Sequence, residues 1–93
     1  MEFTAEMIAG FLGGEIVGNK DAKVHTVSSI EEGKAGSLAY LTNPKYESFL
    51  YTTGASIVLV NRSFAPSQPV AATLIKVAAA GACVLHLLEM YTA

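Results

Sequence analysis

The chain has 93 residues, 52% of them apolar and 15% charged, with six basic against eight acidic side chains. That is a single small domain, too apolar for a disordered segment and too sparsely charged for a coiled coil. A net charge of -2, with the basic residues spread singly from Lys20 to Lys76, offers no stripe to a nucleic-acid backbone and excludes nucleic acid as the expected partner.

Glu2 and Glu6 flank the first hydrophobic residues, so the N-terminus does not read as a signal peptide. Over 3–12, Met7, Ile8, Phe11 and Leu12 recur at helical spacing, with Thr4 as N-cap, Phe3 placed to staple against Ile8 and Gly13-Gly14 as the left-handed stop. Met7 is accordingly expected in the core. Two β-prone runs, 15–17 and 24–27, flank the turn-rich Gly18-Asn19-Lys20-Asp21 and predict a hairpin. Ile30 to Gly36 reads as a turn. A strand at 37–41, a helix from 44 to about 52 and a strand at 55–60 predict a βαβ unit. In its last strand Ser56-Ile57-Val58-Leu59-Val60 is apolar without alternation, as in a parallel strand covered on both faces. After Pro66 and Pro69 come a strand at 73–77 and an Ala/Leu-rich helix from about 79 to 91. The fold class is α/β: a small mixed sheet with a βαβ unit and flanking helices.

The most apolar segment, Val77 to Leu88, is shorter than the roughly 20 residues that span a bilayer, so no membrane span is expected. Cys83 is the sole cysteine and reads as a small buried hydrophobe, which makes a reducing, cytoplasmic setting the expectation. With one Cys and two distant His there is no metal-ligand spacing, and neither a metal nor a cofactor is expected. Glu31 and Glu32 are adjacent, so no periodic geometry directs both at one substrate atom, and solvation of the turn explains them. Lys45 reads as a solvated surface lysine. His25 reads as an exposed strand residue and His86 as a structural one on the last helix.

The stretch Ala39-Tyr40-Leu41-Thr42-Asn43-Pro44-Lys45-Tyr46 is where ligand chemistry is most plausible. Asn is a favoured N-cap and Pro a favoured first helical residue, so Asn43-Pro44 is explained by the helix start alone. The two tyrosines are not. Tyr40 falls near the carboxyl end of a strand and Tyr46 in the first turn of the next helix, the corner of an open α/β sheet where ligands collect. Two aromatic faces there can sandwich a planar base, and the Asn43 carboxamide, acceptor and donor together, suits a uracil edge. On spacing alone, plain packing and base holding both stand.

Gly36-Ser37-Leu38-Ala39-Tyr40-Leu41-Thr42-Asn43-Pro44-Lys45-Tyr46, followed by Ala55-Ser56-Ile57-Val58-Leu59-Val60, resembles the N-terminal domain of UDP-3-O-acylglucosamine N-acyltransferase. The opening Phe3-Thr4-Ala5-Glu6-Met7-Ile8-Ala9 helix and its Gly13-Gly14 stop also fit. The resemblance implies that Tyr40, Asn43 and Tyr46 hold the uracil of a UDP-acylglucosamine substrate. The family more often has phenylalanine at the position of Tyr40. It further implies a parent enzyme, a homotrimer, that transfers a hydroxyacyl group from acyl carrier protein to the 2-amine of the glucosamine in lipid A biosynthesis. The catalytic histidine would lie in a C-terminal left-handed β-helix whose hexapeptide repeats are not in this sequence. On this reading residues 1–93 are a single uridine-nucleotide-binding domain, an N-terminal fragment with no catalytic residue of its own. Where the family commonly has Asn-Pro-Tyr after the position of Val77, this chain has Ala78-Ala79-Ala80. The small N-terminal domains of the muramyl ligases, similar in size, fold class and ligand, are the alternative within UDP-sugar chemistry, and a non-catalytic interaction module is the alternative outside it.

Overall fold

The structure is a computed structural model that describes residues 2–41 and 43–78. The expected last helix, with Cys83, His86 and Met90, lies outside the described residues.

The chain opens with strand β1 (Phe3–Thr4) and helix α1 (Ala5–Leu12). Thr4 is extended, and its hydroxyl accepts the Met7 N–H at 3.2 Å, satisfying one of the donors that a helix start leaves free. Gly13, at φ 68°, closes the helix in the left-handed conformation that a Cβ resists. The helix thus begins where the predicted N-cap puts it, and the backbone of Phe3 and Thr4 ahead of it pairs with β3 (Lys23–Val24). Ala5, Ile8 and Ala9 form its buried face. Met7 does not join them: it is 53% exposed, and Phe11 51%. The small side chains of Ala5 and Ala9 bring the helix close to the sheet along their own stripe, which turns its larger neighbours outward.

The predicted hairpin does not form. Strand β2 (Glu15–Val17) pairs antiparallel with β7 (Thr73–Val77), whereas β4 (Thr26–Val27) pairs parallel with β5 (Ser37–Leu41). The physical reason lies in the connecting loop. The Ala22 and Lys20 carbonyls accept the first N–H groups of α1, from Ala5 at 2.8 Å and Glu6 at 3.0 Å. The Asn19 N–H donates to the Thr73 hydroxyl at 3.1 Å. The turn-rich residues therefore cap a helix and moor to β7 rather than closing two strands on each other.

Strands β5 and β7 occupy the predicted ranges, and β6 (Ile57–Asn61) begins two residues after the predicted start. The sheet order is β2-β7-β6-β5-β4, with β4 to β7 mutually parallel and β2 antiparallel at one edge. The fold is α/β with a mixed sheet, as the sequence pattern implies; among the described residues that sheet has five strands, and β1 and β3 form a separate two-stranded one. The β5–β6 crossover is shorter than the predicted helix: a 3-10 turn over Pro44–Tyr46 leads into α2 (Glu47–Leu50).

Alternation along the strands divides the core in two. Leu38, Ile57, Leu59, Ile75 and Val77 face α1, and Ala39, Leu41, Val58, Val60 and Leu74 face Ile30, Leu50 and Ala55. Strand β6 is buried on both sides, which explains its unbroken apolar run. On the second face, the Tyr51 hydroxyl donates to Glu47 at 2.6 Å and accepts the Ser67 N–H at 3.0 Å, holding the proline-containing loop against α2.

Candidate functional site

Strand β4 is only two residues long and pairs with β5 no further than Val27 opposite Leu38. The next residues leave the sheet: Ser28 makes a last bond to the Leu38 carbonyl at 2.9 Å, and a 3-10 turn forms over Ile30–Glu32. Ile30 is buried in the second core cluster and anchors that turn. The carboxyl-terminal half of β5 is therefore flanked by a turn instead of a strand, and a cleft opens between them. It measures about 180 Å³ and is lined by Ser29, Ile30, Glu31, Tyr40, Leu41 and Tyr46.

Tyr40 is half-buried, its ring packed against the α1-side core with Val27. Tyr46 is 40% exposed and belongs to the turn that leaves β5. That turn is built by Asn43, whose side-chain oxygen accepts the Lys45 N–H at 3.0 Å and whose carbonyl accepts the Tyr46 N–H at 3.0 Å. Local hydrogen bonding of this kind is what Asn does best in turns, and here it fixes the start of the residue that follows. Phe49, 37% exposed one turn along, lies against Tyr46 with ring centroids 6.0 Å apart and planes tilted by 38°.

Of the three residues singled out from the sequence, two share the cleft. Asn43 is exposed and stands in the connection between them, its oxygen committed to the turn while the amide end of the carboxamide keeps its two donors. The facing wall, Ser29 to Glu31, was not anticipated. Its only signal in the sequence is Ile30, a lone apolar residue in a turn-rich run that the core pulls inward. Glu31 and Glu32 look alike in the sequence, but only Glu31 lines the cleft. His25 is exposed, as expected, but in a bend between β3 and β4 rather than within a strand.

A cleft of this volume falls below the roughly 300–1,000 Å³ that encloses a whole drug-sized ligand, so it fits one flat ring with the remainder of a larger ligand outside. A wider groove of about 490 Å³ lies at the other end of the parallel strands, before β6 and β7. Its hydroxyls are already used by the fold: Thr53 accepts from the Ala55 N–H, Ser56 from Gly36 and Thr73 from Asn19. The rest of its wall is alanine and glycine with Lys23 and Asn19, the side-chain oxygen of Asn19 already accepting the Asp21 N–H. The tyrosine cleft is the better-equipped site. Among the described residues there is no group of three His, Cys, Asp or Glu side chains placed to hold a metal ion, and no helix long and apolar enough to cross a membrane.

Residues 21–90 match the sequence profile of the family described as UDP-3-O-(3-hydroxymyristoyl) glucosamine N-acyltransferase, LpxD. The chain belongs to this family. Of the two UDP-sugar families weighed from the sequence, the match is to the acyltransferase. Proteins named UDP-3-O-acylglucosamine N-acyltransferase align with nearly the whole chain. The one from Christiangramia forsetii is 53% identical over 91 residues, covering 98% of this chain and 27% of its own length. That from Bacteroides thetaiotaomicron is 50% identical over 91 residues, covering 98% and 26%. A more distant one from Methylacidiphilum infernorum is 31% identical over 77 residues, covering 83% and 21%. The chain thus spans about a quarter of the length of these LpxD-family relatives.

Proposed function

We propose that this LpxD-family domain holds the uracil ring of a UDP-acylglucosamine between Tyr40 and Tyr46, contributing affinity and orientation to an N-acyltransferase. The observation that carries the reading is the placement of both tyrosines in one open cleft at the carboxyl end of β5. Family membership supplies the class of substrate, since the aligned relatives are named for UDP-3-O-acylglucosamine. Each ring offers a stacking face, and the amide of Asn43, on the turn between them, offers donors to a uracil carbonyl.

Bond making is assigned elsewhere in the parent enzyme. Transfer of the hydroxyacyl group from acyl carrier protein to the 2-amine, in lipid A biosynthesis, takes place in the C-terminal β-helix of a cytoplasmic homotrimer. Residues 1–93 form the uridine-nucleotide-binding domain that precedes it. The domain's role is then to fix the nucleotide end of the substrate so that its amine arrives in position, an entropic contribution rather than a chemical one.

Titration of the chain with UDP, followed by backbone amide shifts, tests this. The expected response is saturable movement confined to residues 29–31, 40–41 and 43–46. Absence of any movement there at millimolar UDP refutes it.

A further inference from the structure

The groove of about 490 Å³ at the amino ends of β6 and β7 takes no part in ring stacking, and it is large enough to hold a small molecule by itself. Three stretches of chain wall it: Asn19 with Ala22 and Lys23, Thr53 to Ser56, and Ala71 to Thr73. They are tied to one another. The Asn19 N–H donates to the Thr73 hydroxyl at 3.1 Å, and the Thr73 N–H donates to the Ser56 carbonyl at 3.0 Å.

The polar side chains of the groove are left with the same kind of group to offer. Ser56 Oγ already accepts the Gly36 N–H at 2.9 Å, Thr53 Oγ1 the Ala55 N–H at 3.2 Å and Asn19 Oδ1 the Asp21 N–H at 2.9 Å. Those bonds hold the oxygens in place, while the hydroxyl protons of Ser56 and Thr53 and the amide protons of Asn19 meet no acceptor among the described residues. Thr73 differs, since its hydroxyl also donates to the Asn19 carbonyl at 3.4 Å. Exposed Lys23 adds an ammonium group, which can only donate. Among the described residues no aspartate or glutamate lines the groove. Side-chain donors with one cation and no carboxylate complement an oxyanion, because hydrogen bonds to an ionised acceptor are the strong ones.

We propose that this groove is a second ligand site, which takes the phosphate or carboxylate of a small molecule. Lys23 is its charged partner, Asn19 and Ser56 are its oriented neutral donors, and the alanines seat the apolar body of the ligand. The inference is independent of the uracil reading, since the two sites lie at opposite ends of the parallel strands.

The test is an amide-shift titration of the 93-residue chain with inorganic phosphate and, separately, with acetate, at fixed ionic strength balanced by chloride. Saturable movement of residues 19–23, 53–56 and 71–73 is expected with at least one of the two anions, and the tighter of them names the charged group of the ligand. Lys23→Gln, at an exposed position and with an unchanged melting temperature, is expected to weaken that binding about tenfold, whereas Lys45→Gln, in the turn after β5, leaves it within about twofold. Asn19→Asp keeps the oxygen that accepts the Asp21 N–H and replaces the amide donors with a repelling charge, so it is expected to abolish the saturable movement. Movement no larger than chloride produces, or movement that does not saturate, overturns the proposal. Equal weakening by Lys23→Gln and Lys45→Gln overturns it as well, because that is a general charge effect, and so does binding that survives intact in Asn19→Asp.

Discussion

Tyr46 is the residue at which base holding and plain packing predict different numbers. Its exposure of 40% leaves about three-fifths of the side chain covered, in part by Phe49, which is itself 37% exposed. An aromatic side chain buries about 150–250 Å² when fully enclosed, so the covered share of Tyr46 is roughly 120 Å². At about 25 cal/mol per Å², truncation to alanine costs at most about 3 kcal/mol. Unfolded chains already cover part of that surface, which brings the expected loss to about 1–2 kcal/mol. For a domain of this size that is a fall in melting temperature of roughly 5–15 °C, with a cooperative transition retained. The loss of one stacking face, about 1–3 kcal/mol, predicts UDP binding weaker by roughly 5- to 150-fold in Tyr46→Ala. Tyr46→Phe keeps the face and loses only a hydroxyl, so its affinity is expected to remain within about twofold of wild type. Thermal melts and UDP titrations on the same three proteins supply every number needed. Unchanged affinity in Tyr46→Ala refutes the reasoning, and so does a loss in Tyr46→Phe as large as that in Tyr46→Ala.

The fold makes three further predictions, each readable by urea denaturation. A Cβ at Gly14 would stand 2.7 Å from Ile75 Cγ2, 2.9 Å from Val77 Cγ1 and 3.0 Å from the Lys76 carbonyl, so Gly14→Ala is expected to destabilise by about 1–3 kcal/mol. Gly10 lies inside α1, and the same added methyl would meet no atom within 4 Å beyond its chain neighbours and its own stretch of helix backbone, so Gly10→Ala is expected to stabilise by up to about 1 kcal/mol. Ser37 is fully buried, and its hydroxyl donates to the Lys34 carbonyl at 2.7 Å while accepting the Lys34 N–H at 3.0 Å and the Ser28 hydroxyl at 3.1 Å. Ser37→Ala leaves these groups short of a partner and is expected to cost about 1–3 kcal/mol, whereas a change below about 0.5 kcal/mol means that they find others.

What the sequence determined by itself was local. Thr4 and Gly13 bound a helix, Ser37–Leu41 and Thr73–Val77 are strands, and the unalternating run ending at Val60 lies in a parallel sheet, because caps, propensities and two-sided burial act within a few residues. Tyr40 and Tyr46 could be singled out for the same reason: a strand end and the following turn are neighbours in the chain. Pairing partners were decided elsewhere. Whether 15–17 meets 24–27 or β7 depends on where the first N–H groups of α1 find acceptors, and those come from Lys20 and Ala22, a contact that no period or dipeptide encodes. The exposure of Met7 was decided the same way, by the close approach of Ala5 and Ala9 to the sheet. The cleft exists because β4 stops short and the core draws Ile30 inward, which leaves Glu31 beside two tyrosines that lie nine and fifteen residues further along the chain. Only tertiary packing brings residues so far apart onto the walls of one cleft.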